Sequence, residues 1–270
     1  MVHRSNALKV IVCVKAIPAP ETVRVENGRI VWDNASLIIN PWDEYALEGA
    51  LTFVEWKDLA SPEAFSITAI SVGDESAEVA LRHALAMGAQ EAIRIAGPAP
   101  EELDTRALAC ILAAAIRKID ATERVGVVLF GRQAADSDTG LTAAQTARLL
   151  GWPAITYLST IKTALQKARL ARTMEEGRQI VNTRLPIVCS VAKDIGIPRP
   201  PSFFARRRAE RTPIPVWTMA DLGLTPPKPL VRWGEASLPP ERETTCEYLH
   251  GTPEEIAGRI LDILSAEGVL

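Results

Sequence analysis

The chain has 270 residues, 47% of them hydrophobic and 23% charged, with a net charge of −3. Those proportions suit a soluble globular protein of one large domain or two small ones, and the slightly acidic balance argues against nucleic-acid binding. No apolar run of about 18 residues is present to span a membrane, and the opening MVHRSNALKV lacks the apolar stretch and cleavage site of a secretory signal.

In chain order, residues 9–14 (KVIVCV) read as a buried strand broken by Pro18 and Pro20. Residues 23–25 and 29–31 flank Asn27-Gly28, a pair that supplies the positive φ of a tight hairpin turn. Pro41 suits the first turn of a helix capped by Asn40, with Ala46, Leu47, Ala50, Leu51 and Val54 on its apolar face. Asp43 and Glu44 fall in that first turn, where acids are routine. Strands follow at 66–72, 92–95 and 125–130, with apolar helices at 76–87 and 105–119. This alternation predicts an α/β fold, a mostly parallel sheet with helices on both faces.

The stretch 131–142, GRQAADSDTGLT, leaves the strand at 125–130 and enters a helix with Ala144, Ala147, Leu149 and Leu150 near one side. Open α/β sheets bind ligands at such loops. Thr139 or Thr142 can cap the helix, Gly140 allows close approach to the backbone, and the unpaired first-turn N–H groups favour a phosphate. The competing reading is an ordinary loop carrying two solvated aspartates, Asp136 and Asp138, whose spacing makes a weak metal candidate.

Beyond Pro153 the pattern changes. Residues 154–161 alternate like a strand, 168–173 and 178–183 flank a second hairpin turning at Gly177, and 185–191 (LPIVCSV) is again a buried strand. Phe203-Phe204 beside Arg206, Arg207 and Arg208 fits either a partner anchor with a basic rim or a surface loop folded onto its own domain. Residues 213–240 are proline-rich and read as an extended arm. Residues 252–264 form a final amphipathic helix with Thr252 as cap and Pro253 at its first position.

No nucleophile-elbow, Walker, GxGxxG, HExxH or paired-carboxylate motif is present, so no catalytic or metal residue is assigned. The histidines His3, His83 and His250 are isolated. Cys13, Cys110, Cys189 and Cys246 match no metal spacing; the first three lie in apolar segments as small hydrophobes, and a reducing compartment is expected.

Several segments, in order, resemble the β subunit of electron transfer flavoprotein: INPWDEYALEGAL (39–51), SVGDES (71–76), ALAMGA (84–89), GRQAADSDTGLT and RTMEEGRQIVNTRLPIVCS (172–190). The resemblance runs from about residue 9 to the end. It implies an adenine-nucleotide α-hydrolase-like domain at 1–212, including a recognition loop at 194–208, and an arm with a terminal helix at 213–270 that packs on an α subunit. It implies an FAD held mainly by that α subunit, and AMP bound in this chain. The cofactor-binding positions it marks are Cys13, Asn40, Trp42, Val72, Gln133, Ser137, Asp138, Thr139, Gly140, Leu141 and Thr142, with Trp42 near the flavin. Phe203, Phe204 and Arg206 are the docking positions for flavin dehydrogenases, expected to be of acyl-CoA type, with a quinone oxidoreductase as the acceptor. The expected compartment is the bacterial cytoplasm or the mitochondrial matrix. Leu141-Thr142-Ala143 departs from AMP-form relatives, which carry a polar residue, Thr and Gly there. Asp138-Thr139 has some likeness to the electron-bifurcating form, in which a second FAD replaces AMP. AMP is favoured, with the bifurcating form as the alternative. An adenylating enzyme of this fold would need a Gly/Ser-rich loop after the first strand, and residues 13–18 (CVKAIP) are not one.

Overall fold

The computed structural model describes residues 8–32, 36–55, 65–98, 102–164, 167–232, 234–237 and 246–270. His3, named above, lies outside them. Two compact units are present, Met1–Glu235 and Ala236–Leu270.

The first unit is organised on β1 (Leu8–Cys13), β6 (Phe65–Val72), β7 (Glu91–Ile95), β8 (Val125–Gly131) and β12 (Ile187–Val191), all parallel. Their alternate residues enter two cores. Val10, Val12, Ile67, Ala69, Val127 and Leu129 face α1 (Pro41–Glu55) and α2 (Glu78–Met87). Ile11, Cys13, Ile70, Val72, Val128 and Phe130 face α3 (Thr105–Thr122) and α4 (Thr142–Leu150). Burial on both sides is why these strands are apolar throughout rather than alternating.

Small elements edge this frame. β2 (Ala16–Pro18) pairs with β5 (Leu37–Ile39), and β3 (Arg24–Glu26) with β4 (Arg29–Val31). Asn27 and Gly28 form the turn of the second pair, at φ 50° and 72°. The sheet continues beyond β12 through β9 (Ala154–Ala164), which is parallel to it, and then antiparallel through β10 (Lys167–Met174) and β11 (Gly177–Arg184). The complete order is β11-β10-β9-β12-β8-β1-β6-β7-β13, with β13 (Val216–Trp217) as the last edge.

The fold class is therefore the α/β arrangement read from the sequence, with several local corrections. The 185–191 strand starts at Ile187, after the cis peptide between Leu185 and Pro186. In α4 the buried stripe is Ala143, Thr146 and Ala147, while Ala144 and Leu149 face outward. The 194–208 segment is not loop throughout: α5 (Phe203–Arg211) begins at Ser202, whose Oγ accepts from the Ala205 N–H. The first unit also extends past residue 212. Val216–Trp217 pairs with β7, and Trp217, Met219, Leu222 and Leu224 pack on the α3 core, so this part of the expected arm belongs to the sheet domain.

The second unit carries α6 (Pro253–Ala266). Thr252 and Glu255 form a reciprocal capping box, with Pro253 in the first turn and Arg259 paired to Glu247 at 2.8 Å. Ile260, Leu261 and Ile263 are exposed, and no residue of the helix is buried.

Candidate functional site

The connection order reverses between β1 and β8, because β6 and β7 lie on one side of β1 and β8 and β12 on the other. The carboxyl ends of β1 and β8 therefore flank the crevice where open parallel sheets bind ligands. Cys13 pairs with Phe130 at that edge, and both chains continue into it.

One buried carboxylate joins three chain segments there. Asp43 turns inward from the first turn of α1. Its Oδ2 accepts the Lys15 N–H at 2.8 Å and its Oδ1 accepts Asn40 Nδ2 at 2.9 Å, while the Gly131 N–H also donates to it. Burial pushes the carboxyl up to about 7, against the pull of those three donors and the Lys15 charge. Glu44, its sequence neighbour, faces outward, with a carboxylate oxygen 2.8 Å from His83 Nε2. The two acids that look equivalent in the sequence thus have opposite environments.

Asn40 shapes the loop rather than capping α1 with its side chain. Its Nδ2 donates to Asp43 and to the Gln133 carbonyl, both at 2.9 Å, and its Oδ1 accepts the Ala135 N–H at 3.1 Å. Its backbone carbonyl accepts the Asp43 N–H of the helix. Further along, Asp136 accepts Lys15 Nζ and Asp138 accepts Gln133 Nε2, so neither aspartate of the loop is merely solvated. Asp138 and Gly140 hold φ of 52° and 61°, the conformation that turns the chain into α4.

The start of α4 corrects the capping expectation. Leu141, not Thr139 or Thr142, occupies the N-cap and provides no side-chain hydrogen bond. The N–H groups of Thr142, Ala143 and Ala144 find no acceptor among the described residues; the first paired one is Gln145, which donates to Leu141. Three free donors at the positive end of a helix form an anion site. Just before them in the chain Ser137 is half-buried, and Thr139, Gly140 and Leu141 are exposed. Cys13 and Val72 end β1 and β6, and both are buried, so neither side chain is open to a ligand. Burial, and next the Asp43 charge, push the Cys13 thiol well up, which keeps it neutral. These features fit the phosphate of a nucleotide.

Beside the loop lies an aromatic and cationic cluster that the sequence did not reveal. The Arg132 guanidinium sits 5.3 Å from the Trp42 ring and 5.2 Å from that of Tyr157, and Lys193 Nζ is 5.2 Å from the Trp42 ring. Tyr157 has φ 57°, at the bulge where β9 shifts register against β12. Only Trp42 of this group was anticipated. Phe203, Phe204 and Arg206 are apart from it on α5, with Phe203 66% and Phe204 83% exposed, which excludes the reading in which the phenylalanines fold into their own core.

Comparison with known proteins agrees with this architecture. The electron transfer flavoprotein domain model matches residues 29–222, well over half of the chain. The caffeyl-CoA reductase-Etf complex subunit CarD of Acetobacterium woodii is 31% identical over 274 residues, covering 97% of this chain and 100% of that protein. The electron transfer flavoprotein subunit beta of Megasphaera elsdenii is 33% identical over 213 residues, 77% of each chain. Protein FixA of Azorhizobium caulinodans is 30% identical over 223 residues, 80% of this chain and 77% of its own length. With the sheet, the crevice and the family model in agreement, the chain belongs to the electron transfer flavoprotein family, as a β-type electron-transfer subunit.

Proposed function

We propose that this chain pairs with an electron transfer flavoprotein α subunit, that the redox FAD is held mainly by α, and that AMP occupies the crevice of this chain. In this reading the pair is an electron carrier without substrate chemistry of its own. The observation that supports the nucleotide most directly is the start of α4, with three free N–H groups at the sheet's switch point. Those groups and the hydroxyls of Ser137 and Thr139 would hold the phosphate. Gly140 would let it approach, and the backbone of Cys13 and Val72 would line the far side. Asn40, Gln133 and Asp138 would set the loop's shape. FAD supplies one- and two-electron chemistry when bound. Trp42 would face it, with Arg132 and Lys193 adding positive charge at that edge.

The electron-bifurcating form, with a second FAD in place of AMP, is the second reading. The full-length match to a subunit of a reductase-Etf complex favours it, together with Asp138-Thr139. Nucleotide analysis of the co-purified αβ pair tests both. One FAD and one AMP per pair is the expected result; two FAD would replace the carrier reading with the bifurcating one, and no adenine nucleotide beyond FAD would remove the crevice from both.

Phe203, Phe204 and Arg206 are proposed to dock a flavin dehydrogenase of acyl-CoA type, with a quinone oxidoreductase as acceptor, inside the bacterial cytoplasm. Two large aromatics exposed beside arginines support this. Phe203→Ala is expected to raise the apparent KM of a dehydrogenase for the pair at least about tenfold, equivalent to about 1.4 kcal/mol. Flavin content and melting temperature should stay at wild-type values. A variant that melts early yet docks normally would contradict the assignment.

A further inference from the structure

The helix that carries Phe203 and Phe204 has little of its own to hold it. α5 is nine residues long, too short to persist alone in water, and Ala209 is its one buried residue. Its two phenylalanines lie edge to face at 5.9 Å, outside the core. Beyond the packing of Ala209 into the core beside α2, what positions it is a pair of arginine clamps, one at each end.

The clamp before the helix is Arg199. The segment leading to it crosses α1, where Ile195 rests on Gly49; a Cβ at Gly49 would come 2.9 Å from the isoleucine. Arg199 then grips two carboxylates on the same helix, seven positions apart and so on one face. Its Nε and Nη2 donate to Glu48 at 2.9 and 2.8 Å, and its Nη1 and Nη2 donate to Glu55 at 2.6 and 2.9 Å. Its backbone N–H adds a further bond to Glu48 at 3.1 Å. Burial opposes the charge of Glu48, but the hydrogen bonds from Arg199 and its charge hold that carboxyl below its usual range. Forked pairs of this kind fix geometry as well as charge, which a lysine cannot do. Three residues later Ser202 caps α5.

The clamp at the far end is Arg82 on α2. Its Nη1 donates to the carbonyls of Ala209 and Glu210, both at 2.9 Å, while Glu78 steadies its Nη2 at 2.8 Å. A cation on the last carbonyls suits the negative end of the helix.

We infer that Arg199, through Glu48 and Glu55, is a positioning residue for partner docking: it holds α5 so that the exposed phenylalanine pair meets an apolar pocket on the dehydrogenase already ordered. This rests on the docking role proposed for Phe203. Ordering the anchor beforehand removes that entropy loss from the binding step, so the clamp acts on encounter with the partner and not on the chemistry.

The test uses the αβ pair with an acyl-CoA dehydrogenase, reduced by its acyl-CoA, as the electron donor. Arg199→Lys keeps the charge and loses the fork. It is expected to raise the apparent KM for the pair about fivefold, with kcat unchanged and faster hydrogen exchange confined to residues 199–211. Glu55→Gln removes the exposed half of the clamp and should give a smaller change of about twofold in the same direction. In a Phe203→Ala background, Arg199→Lys should add nothing further, because the clamp acts only through the anchor. Full additivity of the two substitutions overturns the inference, as does an unaltered KM for Arg199→Lys beside a raised KM for Phe203→Ala. Should Arg199→Lys fail to fold, Glu55→Gln decides the matter, and unchanged KM and exchange in that variant overturn it. If Phe203→Ala itself leaves KM at the wild-type value, the docking role fails, and the positioning role with it.

Discussion

Gly131→Ala is expected to destabilise the protein by about 3 kcal/mol or more and to release the AMP proposed for the crevice. A Cβ there would lie 2.4 Å from Asp43 Oδ1, 2.7 Å from the Trp42 carbonyl carbon and 2.8 Å from Trp42 Cβ. All three atoms belong to the start of α1, and the Asp43 oxygen is held by Asn40 Nδ2 while its partner oxygen accepts the Lys15 N–H. None is the free end of a flexible side chain, so relief requires α1 to move away from β8. That movement would break the Asp43 contacts and shift the 131–142 loop. For a unit of this size the melting temperature should fall by roughly 6–12 °C. Gly151→Ala is the control. Gly151 caps α4 at φ 74° with nothing within 4 Å of an added Cβ, so only the backbone conformation opposes the change, by about 1 kcal/mol. Equal losses for the two variants, or AMP retained in Gly131→Ala, would show that the approach of α1 to β8 is not tight.

The contrast between these glycines also shows what a sequence can and cannot disclose. Residues 9–14 and 125–130 announce buried strands because parallel strands covered on both faces have no polar side to carry. Asn27-Gly28 announces its turn because few other pairs adopt positive φ twice in succession. Gly131 carries no such mark, since its requirement comes from Trp42 and Asp43, some ninety residues earlier in the chain. Asp43 and Glu44 are indistinguishable until the tilt of α1 against β8 turns one inward. The Arg199 clamp joins residues about 150 positions apart, and nothing local to PRPPS hints at it. α5 carries little helical signal, because FFARRRAER offers no apolar stripe. Its one local signal is Ser202 ahead of a run ending in arginines, the cap and charge pattern of a short helix. The attachment of residues 216–224 to the sheet is hidden for a related reason. A two-residue edge strand and four side chains on the α3 core attach a proline-rich stretch that by composition looks like linker.

Asp43 leads to a pH dependence whose direction is opposite to that of Glu48, Glu91 and Asp104. Its folded value lies near 7, against 3.8 for the free side chain. Between those values the folded chain binds a proton that the unfolded chain does not. Asp43 therefore favours the folded state fully below about pH 4, and that contribution is lost as pH rises through about 7. A difference of about three pH units corresponds to about 4 kcal/mol. Glu48, Glu91 and Asp104 have lowered values, so their contributions are present at neutral pH and decline only under more acidic conditions. The two windows hardly overlap, which makes Asp43 separable. Melting temperatures of the αβ pair measured from pH 5 to pH 8, for wild type and Asp43→Ala, isolate it. The wild-type curve should fall relative to the variant's across this range and run parallel to it above about pH 8. If AMP occupies the crevice as proposed, the variant should also lose it at every pH, because the Lys15 and Gly131 N–H groups lose their common acceptor. Parallel curves from pH 5 to pH 8 would mean that Asp43 stays ionised in the folded protein throughout, its three donors having outweighed its burial.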